Sequence, residues 1–511
     1  MRDGIMATSI RIGNRQAGES APDALVRFII EEELKGSAEI IHAQIDGQLR
    51  ACHAKGLFQA KPEQAEGMPT LGLLEAAHVV FVGYVPGSGA EGLRHAGAAA
   101  AKALKKVRAV HAEFLLTSSA LEQDLGAIGA EAAAQAITEG VLLALHDRQP
   151  LKKEEQERFQ LSGVSYRFED GFDGPLVDSE LWKRGADKGQ VLASSVAYAR
   201  DLTNLPGNDL TPERLAFHAE ELALHYELEI EVIDEWTAAE QGMGGLLAIG
   251  QGSVNPPRMI VIHYKGAPES SEVWGLIGKG ITFDTGGISL KKSAGMEEMI
   301  SDMGGAASVL GALRALAELK VEVNALVVVP AAENMPSDRA IKPGDVIRMM
   351  SGHTVEVVNT DAEGRIVLAD GLTTAIRRGA TKLVDVATLT GAVMVTLGYE
   401  ATGAVTNNDS LMTDVLHASE RAGERVWQLP AYPEFMKGLR SEAADLKNSG
   451  TQYGGASKGG MFIGYFAEGL PWVHLDIGGT AWLEASRGWE PKGGTGVMVR
   501  TLVELTSGRP S

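Results

Sequence analysis

The sequence predicts an α/β protein of two domains, a smaller N-terminal one and a larger C-terminal one. The first is expected to hold a largely parallel sheet, and the second a mixed, mostly parallel central sheet flanked by helices. Three observations lead there. Strand-like and helix-like stretches alternate along most of the chain, the pattern of parallel sheets covered by helices. The length of 511 residues exceeds what one hydrophobic core serves. The glycine-rich turns of the second half (GKGITFDTGG, DMGGAA, DAEGR, TLTGA, DIGGT) fall at strand ends, where ligands bind in open α/β sheets.

His78–Val85 is an apolar strand run, and the Ala-rich stretch Gly89–Val107 reads as a helix. Arg108–Leu116 is a second strand and Leu121–His146 a long Ala/Leu helix. The charged stretch Asp147–Arg158 reads as a surface connection. Asp178–Thr203 is a long helix, after which Thr211 and Pro212 supply an N-cap and a first-turn proline. Strands are then expected at Arg258–Tyr264, Val273–Phe283, Val321–Val329, Lys382–Thr388 and Trp472–Ile477. Helices are expected near Gly304–Leu319, Gly364–Arg378 and Gly460–Glu468. The expected division is 1–177 for the first domain, 178–204 for a linking helix and 205–511 for the second domain.

Lys and Arg number 47 against 67 Asp and Glu, a net charge of −20, which argues against nucleic acid and anionic membranes as main partners. A single cysteine, Cys52, allows no internal disulfide and fits a reducing, cytoplasmic setting. The start lacks the apolar core of a signal peptide, and no uninterrupted run of 18 apolar residues occurs, so no membrane span is expected.

Two motifs are decoys. Gly87–Gly92 matches G-x-G-x-x-G between a strand and a helix, but its candidate acid, Glu113, falls inside the next strand and Pro86 stiffens the turn. Gly455–Gly459 matches G-x-S-x-G around Ser457, but no strand precedes it, and His474 and Asp476 follow in the wrong order for a nucleophile elbow.

What remains is a carboxylate set, Asp284, Asp302, Asp361 and Glu363, each at a strand end or in a first helical turn. Asp361 and Glu363 are two apart and share a side if the segment is extended. Four converging carboxylates repel unless cations lie between them, and a pair of divalent metal ions meets that need. Lys279, Lys291 and Arg365 accompany them. Lys279 and Asp284 are five apart, so a regular strand would face them oppositely; a bulge at Gly280 would bring them together.

The stretches GLIGKGITFDTGGISLKKSAGMEEMISDMGGAASVLGALRAL, PAAENMPSDRAIKPGDVI, SGHTVEVVNTDAEGRIVLADGL and VDVATLTGA closely resemble the leucine aminopeptidase (cytosol aminopeptidase) family. The run Asn359–Arg365 matches that family's signature, and the resemblance spans roughly Tyr198 to Val497. It implies a two-metal aminopeptidase removing Leu-like N-terminal residues. Lys279, Asp284, Asp302, Asp361 and Glu363 fall at the metal ligands, with Asp284 and Glu363 bridging. Lys279 and Asp302 would complete the tighter site, and Asp361 the more exchangeable one. Lys291 and Arg365 fall at the catalytic positions. Lys291, Met299, Asp302, Asn359, Thr388 and Gly391 fall where the family contacts its substrate. The resemblance further implies Mn or Zn as the metal, a bicarbonate held by Arg365 as general base, and a homohexamer acting on peptides with a free N-terminus. Lys292 and Ile366 depart from the usual Pro and Leu, and neither is a ligand. The alternative is a regulatory or nucleic-acid-binding protein on the same scaffold.

Overall fold

The structure is a computed structural model that describes residues 8–15, 20–148, 151–153, 159–172, 174, 177–451 and 453–508. The chain divides into two compact units, 1–194 with 485–491, and 195–484 with 492–511. The first division falls inside a long helix, Ser179–Thr203. The expected connection Asp147–Arg158 lies partly outside the described residues.

The first unit carries a six-stranded sheet in the order Ser9–Ile12, Gly163–Phe168, His111–Leu116, Ala24–Ile29, His78–Gly83 and Ala65–Pro69. All neighbours run parallel except the last, antiparallel pair. Helices Gly89–Val107 and Ser118–Leu145 pack together through small residues, so that a Cβ on Gly140 would stand 2.0 Å from the Arg94 carbonyl oxygen. Helix Ser118–Leu145 is long and apolar enough to cross a membrane, but it breaks at Gly129 and is mostly buried within the protein. The G-x-G-x-x-G turn is already filled from within. The Asp124 carboxylate accepts the Gly87 N–H at 2.8 Å, the Gly89 N–H at 2.7 Å and the Tyr84 hydroxyl at 2.8 Å. It takes the place a phosphate would need.

The second unit is built on a larger mixed sheet in the order Val426–Gln428, Thr402–Thr406, Trp472–Asp476, Lys382–Ala387, Trp274–Gly278, Asn324–Asn334, Arg258–Lys265 and Glu229–Ile233. Trp472–Asp476, Lys382–Ala387, Trp274–Gly278 and Asn324–Asn334 form its parallel centre. Leu276, Ile277, Val327, Val328, Leu383, Val384, Val473 and Leu475 are fully buried there. Such strands read as continuous Val/Ile/Leu runs because helices cover both faces. Each buried side chain of this kind contributes about 1.5–3 kcal/mol. Helices Gly304–Glu318 and Gly364–Arg377 pack on this sheet.

Three local expectations are corrected. Val273–Phe283 is not one strand but two, Trp274–Gly278 and Gly280–Asp284, interrupted at Lys279. The register shift against Asn324–Asn334 falls between Ile281 and Phe283, so the bulge lies at Thr282 rather than Gly280. The helix expected at Gly460–Glu468 runs instead from Gly455 to Gly464; it contains the buried Ser457 and rules out an elbow there.

Candidate active site

Strands Trp274–Gly278, Lys382–Ala387 and Trp472–Asp476 end together, and residues at or just beyond their ends, with the end of Gly280–Asp284, line one cavity of about 450 Å³. Lys279 follows strand Trp274–Gly278, Asp284 closes strand Gly280–Asp284, and Thr388 follows strand Lys382–Ala387. Asp302 comes from the 3-10 helix Met296–Met303, which also carries Met299. Asp361 sits in a tight turn, and Glu363 is the N-cap of helix Gly364–Arg377. The Asp361–Glu363 segment is therefore not extended, as alternation supposed. A turn followed by a helix start brings both carboxylates inward. Every one of the eleven site residues inferred from the sequence lines this cavity.

The geometry is specific. The Lys279 ammonium donates to Asp302 Oδ1 and to the Thr388 carbonyl, both at 2.8 Å, and lies 2.8 Å from Glu363 Oε1. Lys291 lies 2.8 Å from Asp284 Oδ2 and also pairs with Asp361 Oδ1. Asp284 Oδ1 accepts the Gly286 N–H and the Asn334 amide, both at 2.8 Å. The Thr388 hydroxyl donates to Asp302 Oδ1 at 2.7 Å. Gly364 is where the Lys279 stem passes: a Cβ there would stand 2.7 Å from Lys279 Cε.

Burial and mutual repulsion drive the acids apart. Burial, joined by Asp284 and Glu363, pushes the Asp302 carboxyl up to about 8. Burial and the Glu363 charge push Asp284 up to about 6, and burial also raises Asp361. Glu363 is equally buried, but Lys279 and Lys291 outweigh that and hold it below the usual glutamate range. Burial opposes the charge on both lysines; the surrounding carboxylates overcome it and hold both above the ordinary lysine value.

One ligand atom from each of Asp284, Asp361 and Glu363 can be chosen so that all lie within 4.8 Å of one another. Asp302 Oδ2 and Glu363 Oε2 are buried with no hydrogen-bond partner. Buried acceptors are rarely left so. Unspent oxygens on converging hard ligands fit divalent metal ions.

Comparisons with known proteins show the family. Residues 197–503 match the catalytic-domain model of the cytosol aminopeptidase family, and residues 26–155 match its N-terminal-domain model. The chain belongs to the cytosol aminopeptidase family. It is accordingly a metal-dependent aminopeptidase. A probable cytosol aminopeptidase of Bacillus licheniformis is 43% identical over 490 residues, covering 95% of this chain and 96% of that one. A tomato leucine aminopeptidase mutant superposes with a TM-score of 0.86 at 31% identity, covering 98% of this chain and 97% of that one. The bottromycin maturation enzyme BotP, in complex with Mn, gives 0.81 at 34% identity over 95% of this chain and 99% of that one.

Within this aminopeptidase, the bracing roles of Asn334, Asn448 and Asp476 escaped the sequence reading. Asn334 donates to both Asp284 Oδ1 and the Thr360 carbonyl, at 2.8 and 2.9 Å. Asn448, fully buried, donates to the Asn359 carbonyl at 2.6 Å and accepts the Val358 N–H at 2.9 Å. Its own carbonyl accepts Arg365 Nη1 at 2.9 Å. Asp476 accepts the Leu389 N–H at 3.1 Å and the Thr390 hydroxyl at 2.6 Å, fixing the loop before Gly391. Asn334 lies inside PAAENMP, and Asn448 carries no local pattern that marks it.

Proposed function

We propose that this site removes an apolar, Leu-like first residue from peptides with a free N-terminus, using two divalent ions, manganese or zinc. Lys279, Asp284, Asp302, Asp361 and Glu363 would hold the ions, with Asp284 and Glu363 shared between them. The observation that carries this reading is the convergence of Asp284, Asp361 and Glu363 beside the unpartnered oxygens of Asp302 and Glu363. When bound, such ions supply Lewis-acid polarisation of the scissile carbonyl and a water nucleophile at neutral pH.

The chain's own groups do the rest. Lys291 is kept protonated by its carboxylate neighbours and reaches the cavity, so it donates a hydrogen bond to the oxygen that gains negative charge. Arg365 is buried and cannot act as a base near neutral pH. Anchored on the Asn448 carbonyl, it orients a small anion, for which bicarbonate is the proposed general base. Met299, Thr388 and Gly391 line the wall that takes the first side chain, with Met394 and Ala481 beside them. Burying an unpaired charge there is unfavourable, so charged first residues react more slowly. A cytoplasmic homohexamer is the proposed setting. No observation among the described residues favours a regulatory or nucleic-acid-binding role.

The test is a pair of substrates, a leucyl anilide and its N-acetylated form. Cleavage of the first alone fits the proposal. Efficient hydrolysis of the acetylated form overturns it.

A further inference from the structure

Three cations of the cavity, Lys279, Lys291 and Arg365, lie at or beside its carboxylates. A fourth, Lys458, does not. It comes from helix Gly455–Gly464, is only 7% exposed and lines the same cavity. Its ammonium donates to the Thr451 hydroxyl at 2.8 Å and the Thr451 carbonyl at 3.3 Å, both neutral acceptors. Among the described residues no carboxylate pairs with it. A buried ammonium without a counter-charge is unfavourable, and a ligand bringing an anion relieves it.

Its place in the cavity says which part of a substrate that would be. Met299, Thr388 and Ala481 gather around Asp302: Met299 shares its 3-10 helix, Thr388 hydrogen-bonds it, and Ala481 and Thr388 both flank Gly304. The polar wall is a separate tract. Asn448 ties Asn359 and Ala362 to the segment that continues as Ser449, Gly450 and Thr451. Lys458 hydrogen-bonds that segment, and the next residue, Gly459, stands against the Arg365 guanidinium. If the first side chain takes the Met299 wall, as proposed above, the residue beyond the cleaved bond meets the Lys458 wall.

We infer that Lys458 forms a subsite for a carboxylate carried by the second residue of the substrate, either its side chain or, in a dipeptide, its terminal carboxylate. A charge-assisted hydrogen bond of this kind is stronger than one between neutral groups. It is read as lower KM for the anionic member of a matched pair.

The experiment measures kcat/KM of the metal-loaded enzyme for two pairs. Leu-Glu-NH2 against Leu-Gln-NH2 reports on a side-chain carboxylate. Leu-Leu against Leu-Leu-NH2 reports on a terminal one. The expected result is a preference of about tenfold for the acid in at least one pair, equivalent to about 1.4 kcal/mol. That ratio should fall towards one in Lys458→Met, with Lys458→Gln as a second variant should the first fail to fold. Equal treatment of both pairs by the unmodified enzyme overturns the inference, as does a preference that persists in the folded variants. An enzyme that cleaves none of the four peptides contradicts the proposed Leu-like first-residue specificity instead, so the two failures are distinct.

Discussion

Arg365 donates from Nη1 to the backbone carbonyl of Asn448 at 2.9 Å, while the Asn448 side chain braces the turn that carries Asp361. One buried asparagine thus sets both a guanidinium and a carboxylate turn. It is brought there by a small sheet in which Thr354–Glu356 pairs with Leu446–Lys447, and the Asn448 N–H donates to the Glu356 carbonyl at 3.0 Å.

Asn448→Ala is expected to leave the Asn359 carbonyl and the Val358 N–H without their buried partner. The stability loss should be about 3 kcal/mol, and turnover should fall because the turn carrying Asp361 is no longer braced, while the backbone carbonyl that holds Arg365 remains. Denaturant unfolding and steady-state kinetics on a leucyl anilide read the two effects. Unchanged kinetics in the folded variant would show that the clamp does not position the site.

The two lysines should separate under the same substitution. Lys279 must lose its proton to donate a lone pair to a metal, against an ordinary pKa of about 10.4, and its Asp302 and Glu363 partners currently favour the charged form. Metal binding supplies the competing drive. Lys291 needs its charge. Arginine keeps charge and cannot ligate. Lys279→Arg should therefore lose the tighter ion and nearly all activity, whereas Lys291→Arg should keep both ions and some activity. Elemental analysis of the two variants side by side decides; equal metal content in both would rule out Lys279 as a ligand.

Asp370, on helix Gly364–Arg377, is fully buried and accepts the N–H groups of Leu246 at 3.0 Å and Met350 at 2.9 Å. Burial nevertheless pushes its carboxyl up to about 6 from 3.8. As pH rises through that window the unfolded chain loses the proton first, so the folded state loses stability. The stabilisation is complete below pH 3.8 and gone above about 6. A shift of roughly two units corresponds to about 3 kcal/mol. Asp370→Asn should lack this slope, so the difference in unfolding free energy between variant and parent should move in the variant's favour across that interval. A pH-independent difference would mean that Asp370 titrates alike in the folded and unfolded states.

The sequence foretold the helix Gly89–Val107 to the residue and gathered every ligand candidate that the cavity brings together. Those side chains carry charge at strand ends, in turns and at helix starts, where composition and position both speak. It misread the interruption at Lys279, because the break is a single residue and apolar residues resume directly beyond it at Ile281. It placed the bulge at Gly280, since a bulge at Thr282 depends on register against Asn324–Asn334, a partner some fifty residues away. Asn448 and Lys458 stayed unmarked because their significance lies in tertiary contacts: one with Asn359 and Arg365, the other with a cavity wall.

Asp284 and Glu363 are proposed to unite two ions in one site. The most direct measurement is titration of chelator-stripped protein with manganese, recording bound ions per chain and turnover of a leucyl anilide together. The account predicts no turnover in the stripped protein, two ions at saturation with unequal affinities, and activity that rises with occupancy of the site. Full turnover in metal-free protein, or saturation of activity with a single ion and no second bound, would contradict it.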